Sequence, residues 1–348
     1  MFYLKSVIPN ISSFSIYESE LAYVDMQNRL FLNSIEVLKN VYSALLIDNC
    51  IAVNFSNYTF EIFDKNNWFS LLKNEDFGFI NTSIGKGKDL SFLIKEGNAL
   101  STIENRKTYN YKIWNYYSKL YSGKNLDIKG EMLQLKKGNF LYLKENRDTI
   151  SKINSLEGRI EWTTKLYKRI YHIIGANEES LFVHCTKKEE ILELDNKDGK
   201  TKNRWKLEDE YLDLFPIFSK GNEFLSENTK LITSLSANAF WEWNWKKNKI
   251  NKIDHTNYFK ENEIDVFGTV IRQIEKFLFL GSRYEVWDGD KRTFKNKIFA
   301  YDISTNTICW EHLFNLNRVT LITSSLYVND YMIAVKDTEN TLYVFERI

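Results

Sequence analysis

Residues Ile191 to Trp205 read ILELDNKDGKTKNRW. Leu192 and Leu194 alternate with polar neighbours, as in a strand with one apolar face, and the run ends at Asp195. A turn closes at Gly199, where the missing Cβ admits positive φ, and Trp205 completes the short segment that follows. The stretch is therefore a hairpin. Seven further stretches echo it more or less faithfully, so the chain reads as a series of small antiparallel sheets.

Working outward, runs rich in Ile, Leu, Val, Phe, Tyr and Trp with period-2 alternation recur along the whole chain, and helical periodicity is nowhere sustained. Only two prolines, Pro9 and Pro216, interrupt strands that must donate ladder hydrogen bonds. The runs group in fours. The first set is 13–17, 21–25, 30–32 and 35–38, and the second is 44–47, 51–54, 59–63 and 68–72. A third spans about 78–117 and places the run 99–103 beside 90–94 across a turn at Gly97-Asn98. Sets follow at 131–163, 170–205, 231–253 and 266–310, and the last holds only three runs, 319–323, 332–335 and 342–345.

The unassigned apolar start, Phe2-Tyr3-Leu4, can supply the missing fourth strand. Pairing head with tail removes the free edge that such a row of sheets otherwise exposes. The expected fold is all-β: a single β-propeller domain spanning 1–348 with eight four-stranded blades, seven being the competing count. The N-terminal strand joins the C-terminal blade and closes the ring.

Three sets share a spelling at the turn between third and fourth strands: Asn154, Gly158, Trp162; Asp195, Gly199, Trp205; Asp302, Asn306, Trp310. This resembles the repeat of pyrroloquinoline-quinone-type β-propellers, where an apolar strand meets Asp, then Gly-Lys or Gly-Arg, then Trp. The resemblance implies a scaffold in which the Asp accepts turn amides and the Trp fills the wedge between blades. It does not carry over the quinone chemistry. The vicinal cysteine pair of the methanol-oxidising type has no counterpart, because Cys50, Cys185 and Cys309 lie far apart. No cofactor is expected, and these cysteines read as buried neutral thiols.

Lys plus Arg number 47 and Asp plus Glu 46, so no global field draws the chain to nucleic acid or an anionic membrane. The start MFYLKSVIPN lacks a secretory apolar run, and about 18 consecutive apolar residues occur nowhere, so a cytoplasmic location is expected. His172, His184, His255 and His312 fall on different sets without metal-ligand spacing, no nucleophile elbow or Walker loop appears, and neither a catalytic set nor a metal site is assigned.

Three stretches are candidates for binding. Residues 282–296, SRYEVWDGDKRTFKN, interrupt what is elsewhere a short turn and read as a long loop that offers Tyr284, Trp287, Asp288, Asp290 and Arg292. Glu208, Asp209 and Glu210 form an acidic patch between the fifth and sixth sets. Residues 105–126 mix Lys112 and other cations with Trp114 and five tyrosines, a composition suited to a protein interface and, secondarily, to single-stranded nucleic acid. The expected function is a non-enzymatic protein-binding propeller, by analogy an immunity-type inhibitor that occludes a toxic enzyme. The competing reading is a hydrolase or lyase with its site at the ring centre.

Overall fold

A computed structural model of the chain describes residues 2–74, 78–84, 90–96, 102–103, 106–107, 110–122, 132–137, 140–154, 156–157, 159–185, 190–206, 216–217, 229–234, 239–244, 246–247, 249–265, 272–274, 276–302, 304–314 and 320–348. These form eight four-stranded antiparallel sheets, each built from consecutive strands apart from the last and from the third, where a separate two-stranded hairpin intervenes. The first is Ile11–Tyr17, Glu20–Asp25, Leu30–Leu32 and Ile35–Leu38, and the second Val41–Ile47, Cys50–Phe55, Phe60–Asp64 and Ser70–Asn74. The third is Gly78–Ile84, Ser91–Glu96, Asn110–Asn115 and Leu120–Ser122, and the fourth Met132–Lys137, Phe140–Lys144, Thr149–Asn154 and Arg159–Lys165. The fifth is Ile170–Ala176, Ser180–Cys185, Glu190–Asp195 and Thr201–Lys206, and the sixth Pro216–Ile217, Thr229–Ser234, Ala239–Asn244 and Lys249–Asp254. The seventh is Arg272–Ile274, Phe277–Asp288, Lys291–Asp302 and Thr307–Phe314. Two compact units result, Ser12–Leu207 and Met1–Ile11 with Glu208–Ile348.

The last sheet takes Leu321–Val328, Met332–Asp337 and Leu342–Arg347 from the end of the chain and Phe2–Ile8 from its start. Phe2 lies opposite Arg347, Tyr3 opposite Glu346 and Leu4 opposite Phe345. Glu346 accepts from the Tyr3 hydroxyl and pairs with Lys5, each at 2.9 Å. The two ends of the chain thus stand where the other sheets have a turn between their third and fourth strands.

Burial explains the sequence pattern. Second strands such as SLFVHC (180–185) are buried at every position, and the inner strands Cys50–Phe55 and Met332–Asp337 nearly so, whereas the fourth strand Thr307–Phe314 alternates between exposed and half-buried. Inner strands are covered on both faces and read as continuous apolar runs. Shared cores confirm the stacking inside each unit. Ile150 and Trp162 of the fourth sheet pack with Leu181 and Leu192 of the fifth, and Ile298 and Phe314 of the seventh pack with Ile333 and Phe345 of the last.

Two sequence expectations change. Ser91–Glu96 pairs with Asn110–Asn115, not with residues 99–103; Thr102–Ile103 pairs instead with Arg106–Lys107 in a separate two-stranded hairpin. Cys50 and Cys185 are buried as expected, but Cys309 is exposed, because it sits on the fourth strand, where one face meets solvent.

Candidate functional site

The turn that spells the repeat is more widespread than its letters. In six sheets the third strand ends on Asp64, Asn115, Asn154, Asp195, Asn244 or Asp302, whose Oδ1 accepts a backbone N–H two or three residues on at 2.8–3.0 Å. Four residues after the Asx the backbone is left-handed, at Trp68 (φ 58), Lys119 (φ 58), Gly199 (φ 73) and Asn306 (φ 56). The side-chain acceptor satisfies turn amides that have no ladder partner.

Trp162 makes that turn a docking point. Its indole donates to the Asn196 carbonyl of the next sheet at 3.1 Å, Lys152 Nζ donates to the same oxygen at 2.7 Å, and the Tyr142 hydroxyl donates to Asn196 Oδ1 at 2.7 Å. Burial pushes the Tyr142 hydroxyl up to about 12 and lowers the Lys152 ammonium. Trp310 repeats the gesture, donating at 2.9 Å to the Phe2 carbonyl beside the end of the last sheet's third strand. Trp205 does not share this place. It faces Ile191, four residues before Asp195, while Trp162 and Trp310 face residues two before their Asx. Asn203 occupies the matching position and donates to the buried Glu193 carboxylate at 2.6 Å.

The stretch expected as a long loop is instead a two-stranded arm. Phe277–Asp288 and Lys291–Asp302 pair without interruption from Phe277 opposite Asp302 to Asp288 opposite Lys291. A two-residue turn, Gly289-Asp290 with Gly289 at φ 58, reverses the chain. Alternation through RYEVW and the Asp-Gly dipeptide were the signals of a hairpin. Among the described residues the flanking strands pair with its base: Arg272–Ile274 as far as Phe279, and Thr307–Phe314 as far as Asn296. The root is clamped, since Asp265 N–H donates to Ser282 Oγ at 2.9 Å, Leu321 N–H donates to Asn296 Oδ1 at 3.1 Å, and Lys297 Nζ donates to the Asn262 carbonyl at 2.8 Å. Lys295, in the first pair beyond that clamp, is tied to Glu263, and the four further pairs extend by about 14 Å at a strand's rise of roughly 3.4 Å per residue.

Register divides the expected binding residues. Trp287 lies opposite Arg292 and Glu285 opposite Phe294, which places these four with Arg283 on one face. Tyr284 lies opposite Lys295 on the other face, Asp288 closes the ladder opposite Lys291, and Asp290 is in the turn. On the first face Arg292 pairs with Glu285 and sits 4.9 Å from the Phe294 ring and 5.9 Å from Trp287; Arg283 lies 5.3 Å from the Phe294 ring. Trp287 is 62% exposed. Arg283, Glu285 and Phe294 were missed, because a loop reading gives residues no common face.

The remaining candidates separate. Trp114 is 1% exposed and packs with Phe92 and Tyr116, so its ring belongs to the core and offers no surface. Lys112, on the same strand as Trp114, lies opposite Ile94 of the neighbouring strand. Glu208, Asp209 and Glu210 lie outside the described residues. Among the described residues no group of three or more His, Cys, Asp or Glu is placed to hold a metal, and no helix is long and apolar enough to cross a membrane.

No family model matches the chain, and no curated protein does. Solved structures do match over its whole length. Sqt1 of Saccharomyces cerevisiae is 10% identical at a TM-score of 0.60, covering 99% of this chain and 98% of its own. The C-terminal WD40 domain of Sif2 is 11% identical at 0.58, covering 100% and 99%. BamB from Moraxella catarrhalis is 8% identical at 0.51, covering 100% of both. At such identities the likeness concerns fold alone, and the fold is a β-propeller.

Proposed function

We propose that this chain is a non-enzymatic, protein-binding propeller of one domain, 1–348, and that the arm is its principal anchor. Each four-stranded sheet is taken as one blade, eight in all, with Phe2–Ile8 closing the ring, and the Asx turns as degenerate repeats of the pyrroloquinoline-quinone type. One observation carries the functional reading: a hairpin clamped at its root holds Trp287, Arg292, Phe294 and Arg283 on one face, with the indole mostly in solvent. Trp and Arg dominate binding energy where they enter a partner's pocket. The arm also carries Asp290, Glu285 paired with Arg292, and Lys295 paired with Glu263, so its surface is mixed in charge. A uniformly anionic nucleic-acid backbone fits this less well.

The more specific form of the proposal is a cytoplasmic immunity-type inhibitor whose arm occludes the cleft of a toxic enzyme. The narrow shape of a two-residue hairpin suits insertion into such a cleft. The test is affinity purification of the full chain from its native host beside the double variant Trp287→Ala, Arg292→Ala. A stoichiometric protein partner is expected with the native chain. Its affinity for the variant should fall about 30-fold or more, the equivalent of roughly 2 kcal/mol. Equal retention by both chains removes the arm from the interface, and a native chain that recovers nothing removes the binding reading itself.

A further inference from the structure

Where the seventh sheet meets the last, a pocket of about 240 Å³ is lined by Phe2, Ile274, Phe277, Phe279, Ala300, Cys309, Trp310 and Arg347. Its aromatic wall is interlocked. Phe2 makes edge contacts with Phe279 and with Trp310, both at 5.8 Å between ring centres, and the Trp310 N–H is spent on the Phe2 carbonyl. Apart from the Cys309 thiol, the lining has one polar side chain, the Arg347 guanidinium. That group donates to the Asp330 carbonyl at 3.3 Å, and among the described residues no carboxylate lies within ion-pair distance of it.

An apolar concavity with a single fixed cation selects for a ligand that is apolar at one end and anionic at the other. We propose that this pocket binds a small monocarboxylic acid with an aromatic or branched hydrocarbon tail. The tail packs on Phe277, Phe279 and Trp310, and the carboxylate takes a charge-assisted, two-point contact from Arg347. The volume admits a single ring with a short chain. The site is made by residues from both ends of the chain and from the base of the arm's own strand, and it is independent of whether the arm binds a protein.

Cys309 supplies a built-in reporter, since Cys50 and Cys185 are buried and only this thiol is exposed. The experiment follows N-ethylmaleimide labelling of Cys309 in the full chain by mass spectrometry, with 3-phenylpropionate as ligand and 3-phenylpropanamide as its neutral match. Labelling is run on the alkaline side, because partial desolvation against the pocket wall and the nearby Asp302 carboxylate raise the Cys309 thiol. The acid is expected to slow labelling at least about fivefold at saturation, and the amide should need about tenfold more compound for the same protection. Arg347→Gln should abolish the preference for the acid, and Arg347→Lys should restore part of it. A tryptophan fluorescence titration, run beside a Trp310→Phe chain to isolate this ring among the nine tryptophans, reads binding without the thiol. If neither compound protects Cys309 or changes the fluorescence at millimolar concentration, the site is overturned. Equal protection by acid and amide, or an acid preference that survives Arg347→Gln, overturns the carboxylate assignment.

Discussion

Gly199 and Gly289 sit in left-handed turns of two Asp-containing hairpins, at φ 73 and φ 58, and face opposite surroundings. A Cβ built on Gly199 falls 2.3 Å from Thr164 Oγ1 and 2.7 Å from the Trp162 ring, while one built on Gly289 meets nothing within 4 Å. The first turn is pressed against the preceding sheet and serves packing. The second stands at the tip of an arm, where an added Cβ meets open space. The same backbone solution therefore carries two jobs, and the surroundings of the turn, not its letters, tell them apart. The two tryptophans nearby repeat the contrast: Trp162 is 7% exposed and Trp287 62%.

The contrast breaks first, if it breaks, at Trp162. Replacing it with Ala removes a buried ring and its bond to the Asn196 carbonyl, and the expected loss is about 3–5 kcal/mol in urea unfolding. A loss below about 1 kcal/mol would mean that the turn does not depend on the indole. Gly199→Ala comes next. Left-handed strain and the close approach to Thr164 and Trp162 together should cost about 2–4 kcal/mol. Gly289→Ala has only the backbone term, about 1 kcal/mol. Indistinguishable midpoints for the two glycine variants would show that both turns are equally free.

A smaller effect tests the Asx turn by pH. The Asp302 carboxyl is held down to about 2 by Lys276, 2.8 Å away, and by the Ser304 hydroxyl and amide. A carboxyl whose folded value is depressed stabilises the fold above its unfolded value, near 3.9, and that contribution disappears as pH falls through about 2. Asp302→Asn should flatten the acid limb of the unfolding curve across that window and leave its shape near neutrality unchanged. An acid limb identical to that of the native chain would assign the shift no part in stability.

Much of the sheet order was legible because each inner strand carries its own apolar run, as in Glu20–Asp25 or Met332–Asp337. The head-to-tail pairing was legible for the same reason: Phe2-Tyr3-Leu4 had no other partner run. The repeat was only half legible. Asp and Asn accept turn amides equally well, and positive φ was met by Gly199, Asn306, Lys119 and even Trp68, so the shared geometry outlives the shared spelling. Spacing held the correction for Trp205, which follows its Asx by ten residues where Trp162 and Trp310 follow by eight. The arm was misread because its centre is polar. Strand length there is set by pairing between its own two halves, not by burial, so hydrophobic pattern fades while the ladder continues. The pocket was invisible in principle, since Phe2, Trp310 and Arg347 are neighbours only after the chain ends meet.

The smallest expected effect is the sharpest on the arm. Trp287→Ala removes the largest exposed ring on that face, yet its indole has lost little contact with water, so little transfer free energy is at stake. What folding gains there is one distant guanidinium contact at 5.9 Å, about 0.5 kcal/mol at an exposed site. The Arg292–Glu285 pair persists without it, and exposed pairs contribute about 0–1 kcal/mol. Unfolding midpoints of Trp287→Ala and the native chain should therefore agree within about 0.5 kcal/mol. A loss of several kcal/mol would place the indole in the fold's own core and leave the arm no ring to offer a partner, which makes this near-neutral measurement the condition for reading any loss of binding as a loss of contact.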